Sequence, residues 1–212
     1  MKTEHSSLSL GGHTLHQIEF DSATFTNADL LWLPHHARLM PAGKKRKAEH
    51  LAGRLAAFYA LQQHGIRAIP DIGEHRQPLW PNGWYGSISH SGTTALAVVS
   101  REPVGVDLET VLSADVCAEI AESIVTIDEQ AVLHASGLPF PLALTLAFSA
   151  KESVFKTLSV IDHLPTFKDS RVTFINNHIL TLSTLSRHRY NEILTTLKWQ
   201  KDNNRVITLA TV

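Results

Sequence analysis

Near the middle of the chain, Val104-Gly105-Val106-Asp107-Leu108-Glu109 alternates between apolar and polar positions. That two-residue period predicts a half-buried β-strand with Asp107 and Glu109 on one face, about 7 Å apart. Carboxylates held side by side repel one another unless something cationic stands between them. A hard divalent ion such as Mg2+ would relieve the repulsion, because it takes oxygen ligands from one or two carboxylates together with substrate phosphates. Taken alone, the hexapeptide reads rather as an exposed strand edge carrying solvated acids. The flanking segments decide what it is for.

The 212 residues suffice for one large domain or two small ones. A net charge of −1 argues against a broad nucleic-acid or membrane footprint. The single cysteine, Cys117, excludes an internal disulfide and fits a reducing cytoplasm. Residues 1–10 are polar and lack the apolar core of a signal peptide. No apolar run approaches the ~20 residues of a membrane span. The expectation is a soluble, cytoplasmic protein that does not bind nucleic acid.

Residues 13–20 alternate as a strand entered through the Gly11-Gly12 turn. Residues 29–40 suit a short helix or loop, with His35-His36 an incidental surface pair. A helix is predicted over 41–64, where Leu51, Leu55, Phe58 and Leu61 keep a 3.6 period and Gly65 supplies the stop. It opens on Lys44-Lys45-Arg46-Lys47, and Lys47, His50 and Arg54 share one of its faces. Such a face is either solvated or a phosphate-binding surface, since Arg offers a fork and Lys a point charge to phosphate oxygens. Residues 68–81 form a loop containing Arg76-Gln77-Pro78. Strands over 85–89 and 94–100 flank a turn at His90-Ser91-Gly92, whose N–H groups, hydroxyls and imidazole suit anion binding better than a nucleophilic Ser–His pair.

Beyond the central strand, Ser113 caps a helix over 113–125, and Thr126-Ile127-Asp128-Glu129 is a capping box opening another that ends at Gly137. A long helix over 142–158 holds Phe148-Ser149-Ala150-Lys151-Glu152-Ser153-Val154-Phe155-Lys156. Glu152 and Lys156 stand one turn apart, either as an ordinary helix ion pair or as a third carboxylate and a lysine completing a metal and phosphate site. Strands over 171–175, 178–183, 193–199 and 205–211, joined by Asn-rich turns, predict an antiparallel meander. The class is α+β, each half offering strands and a long helix.

Four segments occur together and in order: Arg76-Gln77-Pro78, Ser87-Ile88-Ser89-His90-Ser91, Gly105-Val106-Asp107-Leu108-Glu109, and Phe148 through Lys156. Their combination resembles the 4′-phosphopantetheinyl transferases of the large, single-chain class. The helix start Arg46-Lys47-Ala48-Glu49-His50-Leu51-Ala52-Gly53-Arg54 is similar to the branch serving siderophore, and specifically enterobactin, biosynthesis. The resemblance implies two similar α/β halves, residues 1–103 and 104–212, related by pseudo-twofold symmetry, with coenzyme A in the cleft between them. It implies Mg2+-dependent transfer of the phosphopantetheine arm of coenzyme A to a serine of an apo aryl or peptidyl carrier protein. The released product is adenosine 3′,5′-bisphosphate. By motif, Asp107, Glu109 and Glu152 are implied as the Mg2+ ligands, with Glu152 also the base, directly or through a water. Lys156 is implied on the pyrophosphate as a second catalytic residue, with Lys151 nearby. Ser89 and His90 are implied at the phosphates, and Arg46, Arg54 and Arg76 at the nucleotide end. Phe148 stands where many relatives carry tryptophan. Which of Lys44, Arg46 and Lys47 reaches coenzyme A stays open, because the basic run aligns in more than one register. A monomer is implied, with other siderophore synthase components as partners and peripheral association with a membrane-bound complex.

The chemistry of the residues agrees with these roles. Charge developing on phosphoryl oxygens calls for a metal and a lysine, and the carrier serine hydroxyl needs a base. A carboxylate beside Mg2+ and lysine is expected to have a low pKa, so relay through a water is as reasonable as direct abstraction. No glycine loop with Lys and Ser/Thr of the nucleoside triphosphate enzymes is present. Two alternatives remain: a noncatalytic module binding coenzyme A or a carrier protein, and a metal-dependent nucleotide phosphohydrolase.

Overall fold

Alternating polar and apolar residues after the Gly11-Gly12 turn make the second arm of a hairpin, β1 (Lys2–Leu10) with β2 (His13–Asp21). The turn itself uses positive φ at both glycines, 57° and 82°, a conformation open to glycine at little cost. A computed structural model describes residues 1–159, 167–185 and 191–211 of the chain. These group into two compact units, Met1–Glu102 and Pro103–Val212.

In the first unit, α1 (Lys44–Gln62) lies on a sheet of order β1-β2-β6-β5, where β5 is Tyr85–Ser91 and β6 is Thr94–Ser100. Small residues set the spacing. Ala48, Ala52, Ala56 and Ala57 of the helix share a core with Ala95 and Ala97 of β6. A Cβ on Gly53 would stand 2.8 Å from Cγ2 of Ile88, inside contact distance. The helix closes as its glycine predicts: Gly65 has φ +78°, and the Ile66 N–H reaches back to the Leu61 carbonyl at 3.1 Å. Residues expected as helix or loop form two 3-10 turns, Asn27–Trp32 and His36–Leu39. The loop before β5 contains a two-stranded hairpin, β3 (Asp71–Ile72) with β4 (Pro78–Leu79).

The expected turn at His90-Ser91-Gly92 is corrected. β5 continues to Ser91, which pairs with Thr94, so the tight turn is Gly92-Thr93 with Gly92 at φ +60°. Gly92 supplies the left-handed residue, and His90 and Ser91 therefore belong to the strand.

The second unit begins with β7 (Val104–Thr110) and continues through α2 (Ala114–Ile124), α3 (Ile127–Ala135) and α4 (Phe140–Leu158). The meander β8 (Ser170–Ile175), β9 (Ile179–Leu185), β10 (Glu192–Asp202) and β11 (Arg205–Thr211) completes an antiparallel sheet of order β7-β11-β10-β9-β8. Leu144, Ala147, Ala150, Val154 and Leu158 of α4 share a core with Leu180, Leu182, Leu197, Val206 and Ala210 of the sheet. Ser113 and Thr126 cap α2 and α3 as predicted, and Glu129 completes the box at Thr126.

β7 differs from the half-buried strand expected of it. Every residue from Val104 to Leu108 is buried, because α4 covers the face that carries the polar positions. A Cβ on Gly105 would collide with the Ser153 carbonyl of α4, so glycine is what allows the helix to sit this close. Asp107 and Glu109 follow Gly105 at two-residue intervals on that face. The fold is thus α+β with antiparallel sheets, and no helix among the described residues is long and apolar enough to cross a membrane.

Candidate active site

The strand that Gly105 lets approach α4 delivers its carboxylate to a lysine. Lys156 donates from Nζ to Oδ1 of Asp107 at 2.7 Å and to the Val106 carbonyl at 3.1 Å. Asp107 is buried, and Glu109 and Glu152 are half-buried. Burial, the Asp107 charge and the Glu152 charge raise the Glu109 carboxyl to about pKa 7, against the pull of Lys156. Burial likewise raises Glu152, with Asp107 adding to it and Lys156 opposing. The low pKa expected for Glu152 beside Mg2+ and lysine belongs to a metal-bound site; in the metal-free chain burial outweighs the one lysine, whose ion pair goes to Asp107. The helix pair Glu152–Lys156 gives way to a bond between helix and strand.

Asp107 raises the pKa of both Glu109 and Glu152, and three such neighbouring carboxylates form a donor set suited to a hard cation, which accepts carboxylate oxygens and offsets their repulsion. As the side chains stand, no three His, Cys, Asp or Glu residues among those described converge closely enough to form a finished cage. The acids fit Mg2+ by chemistry and neighbourhood, with Lys156 drawn to Asp107.

Lys151 has a different place. Its ammonium is buried, 2.8 Å from Oε1 of Glu129 and 2.7 Å from the Ile124 carbonyl. Glu129 also accepts from the Thr126 and Val172 N–H groups, both at 2.9 Å. Burial pushes the Glu129 carboxyl up, but the Lys151 bond and the two N–H donors hold it below the ordinary carboxylate range. Lys151, expected near the pyrophosphate, is placed where it ties α4 to α3 and β8 from within the core.

The first unit holds a cavity of about 370 Å3 lined by Arg38, Arg46, His50 and Arg76, with Leu39 and Ile72 among its apolar walls. Of the basic run, Arg46 is the residue that lines it, because Lys47 donates to Oδ1 of Asn27 and Lys44 to the Ala23 carbonyl. Arg76 is held at φ +66°, a left-handed conformation that costs a non-glycine residue roughly 1–2 kcal/mol. Arg54 is buried and donates to the Asp71 carbonyl at 3.2 Å, while its Nε has no hydrogen-bond partner among the described residues. Burial lowers its pKa to about 10, with Arg46 adding to this and Asp71 opposing. His35 is buried rather than at the surface, its Nε2 2.9 Å from Nε2 of His50.

Ser89 and His90 are neighbours on β5 and so point to opposite faces. His90 turns toward α1, its Nδ1 4.0 Å from Oε1 of Glu49, and Ser89 is buried on the other face.

Comparison with known proteins decides the family. Residues 35–100 match the 4′-phosphopantetheinyl transferase N-terminal domain, and residues 103–210 match the 4′-phosphopantetheinyl transferase superfamily. The chain belongs to the 4′-phosphopantetheinyl transferases. Enterobactin synthase component D of Salmonella typhi is 52% identical over 99% of this chain and 91% of its own length. The protein of that name from Escherichia coli K12 is 52% identical over 99% of this chain and 98% of its own. The 4′-phosphopantetheinyl transferase PptT of Mycobacterium tuberculosis is 29% identical over 83% of this chain and 84% of its own length.

Within this transferase, sequence reasoning missed Arg38, His35 and Asp71. Arg38 donates to the Ile72 carbonyl at 2.6 Å and stands 3.7 Å from Asp71, which is itself 3.3 Å from His35. Arg38 lies in a four-residue 3-10 turn and Asp71 in a two-residue strand, too short for spacing to flag them, and the β3–β4 hairpin brings Asp71 to His35 and Arg38. Glu129 carried a signal, its capping box, but nothing in the sequence announces its second partner on α4.

Proposed function

We propose that this transferase moves the 4′-phosphopantetheine arm of coenzyme A to a serine of an apo carrier domain in enterobactin synthesis, releasing adenosine 3′,5′-bisphosphate. The observation that carries the reading is the Asp107–Lys156 pair flanked by Glu109 and Glu152, an ammonium set among carboxylates on a strand and the helix packed against it. Asp107, Glu109 and Glu152 would hold Mg2+, which when bound supplies charge compensation to a pyrophosphate. Lys156 offers the pyrophosphate a second cation. Arg46, Arg76 and Arg38 give the nucleotide end its anion-binding surface, with Arg54 adding positive charge near His50.

In the transfer the serine Oγ bonds to the phosphorus on the pantetheine side, and that phosphorus loses its bond to the bridging oxygen. The electron pair leaves with adenosine 3′,5′-bisphosphate. Glu152 takes the serine proton, directly or through a water held beside it. The enterobactin assignment rests on the likeness to the component D proteins.

The test follows the nucleotide product. Adenosine 3′,5′-bisphosphate should appear only when coenzyme A, Mg2+ and an apo-carrier are all present, in step with loss of the apo form, and a chelator should stop it. Free phosphopantetheine formed without a carrier would replace this reading with a phosphohydrolase, and coenzyme A binding without any product would leave a noncatalytic module.

A further inference from the structure

His50 sits among arginines and yet is built to be neutral. It lines the cavity with Arg38, Arg46 and Arg76, and its Nε2 meets Nε2 of His35 at 2.9 Å with the rings nearly perpendicular, at 88°. Two imidazole nitrogens in contact must be one donor and one acceptor. His35 is 6% exposed, and its Nδ1 stands 3.3 Å from Oδ1 of Asp71. That nitrogen makes no hydrogen bond among the described residues, so Asp71 acts on His35 as a nearby negative charge. That charge favours the His35 proton on Nδ1, which leaves a lone pair on its Nε2. His50 then donates from Nε2, and its own Nδ1 keeps a bare lone pair.

The groups around His50 oppose any second proton. Arg46 and Arg54 face it from α1, His35 from the 3-10 turn, His90 from β5, and Arg38 and Arg76 across the cavity. Burial first, then these neighbours, push His50 down to about pKa 3. A pocket meant for phosphate alone would gain from another cation. A neutral acceptor amid three arginines suits a ligand that carries phosphate beside a hydrogen-bond donor.

We propose that Nδ1 of His50 is a specificity-determining acceptor for a donor group on the nucleotide portion of the substrate, with His35 as its positioning residue and Asp71 fixing the tautomer. This rests on the reading that the arginine cavity takes the nucleotide end of coenzyme A. On that nucleotide the available donors are the 6-amino group of adenine and the ribose hydroxyl.

The experiment measures kcat and KM for coenzyme A, its hypoxanthine analogue and its 2′-deoxy analogue with the wild type, His50→Phe, His35→Gln and Asp71→Asn. In the wild type one analogue should raise KM roughly three- to tenfold, the worth of one neutral hydrogen bond, with kcat unchanged. The analogue that does so identifies the donor. His50→Phe should erase the discrimination, and Asp71→Asn, at an exposed carboxylate, should reduce it without loss of folding. Calorimetry near neutral pH, in two buffers of different ionisation enthalpy, should show no proton uptake on coenzyme A binding. Uptake of about one proton, or full discrimination retained in His50→Phe, would overturn the assignment. Failure of the wild type to bind coenzyme A would instead overturn the nucleotide reading of the cavity, a result that shows before any variant is compared.

Discussion

Nζ of Lys156, on α4, lies 2.7 Å from Oδ1 of Asp107, on β7, and joins the two elements that carry the acidic cluster. The bond exists because Gly105, two residues earlier, has no side chain to hold the helix off. The Asp107 side chain is 4% exposed, and breaking a buried pair by removing one partner is costly.

Removing that cation should therefore be felt in folding as well as in rate. Lys156→Ala is expected to cost about 1.5–3 kcal/mol, the value of a hydrogen bond to a charged group, and to lower kcat/KM for coenzyme A at the same time. Urea unfolding and steady-state kinetics on one preparation check both. Unchanged stability would mean that Asp107 is satisfied without Lys156.

Glu152 separates chemistry from binding. Glu152→Gln keeps the shape of a half-buried side chain that makes no ion pair with Lys156. It should lower kcat by roughly 10²–10⁴, the usual contribution of a positioned general base, while KM for coenzyme A moves less. An ordinary surface pair with Lys156 would instead contribute about 0.3–0.5 kcal/mol to stability and nothing to rate. Wild-type turnover with a slightly lowered melting temperature would return Glu152 to that minor role.

Lys151 should behave in the opposite way. Breaking its buried pair by Lys151→Met leaves Glu129 uncompensated and is expected to cost about 3–5 kcal/mol. The folded fraction should retain its KM for coenzyme A. A raised KM with little change in stability would restore Lys151 to the phosphates.

Stability should also fall on the acid side of neutrality. His50 has an ordinary value of 6.5 and is pushed down to about 3 in the folded chain. The unfolded chain thus binds a proton below pH 6.5 that the folded chain refuses. The contribution is complete above that value and is lost as pH falls toward 3, at up to about 1.4 kcal/mol per pH unit. Denaturant midpoints at about pH 7 and pH 5, compared with His50→Asn, isolate the effect. An equal slope in the variant would place the acid sensitivity elsewhere.

These cases also show what the sequence could and could not disclose. Helix α1, helix α4 and the caps at Ser113 and Thr126 were legible because periodicity and capping are local properties. Strand β1 was not, since its side chains are mostly exposed and carry no apolar period. The alternation in β7 was visible but its meaning inverted: the polar residues face the covering helix rather than water. Lys151 and Lys156 are five residues apart on one helix, and only the surrounding fold sends one to Glu129 and the other to Asp107. Pairings between distant segments, including Asp71 with His35 and Arg38, have no signature in spacing.

The most direct test of the central claim is the intact mass of an apo carrier domain after incubation with coenzyme A and Mg2+, using the wild type and Glu109→Ala. Glu109 is raised to about pKa 7 by burial and its acidic neighbours, so the fold does not depend on its charged form. The account predicts that the carrier gains one phosphopantetheine arm at its serine with the wild type. It predicts a stable Glu109→Ala protein with at most about one-hundredth of that activity, because the site has lost an acid suited to Mg2+. Full transfer by Glu109→Ala at low Mg2+, or an unmodified carrier with the wild type, would contradict it.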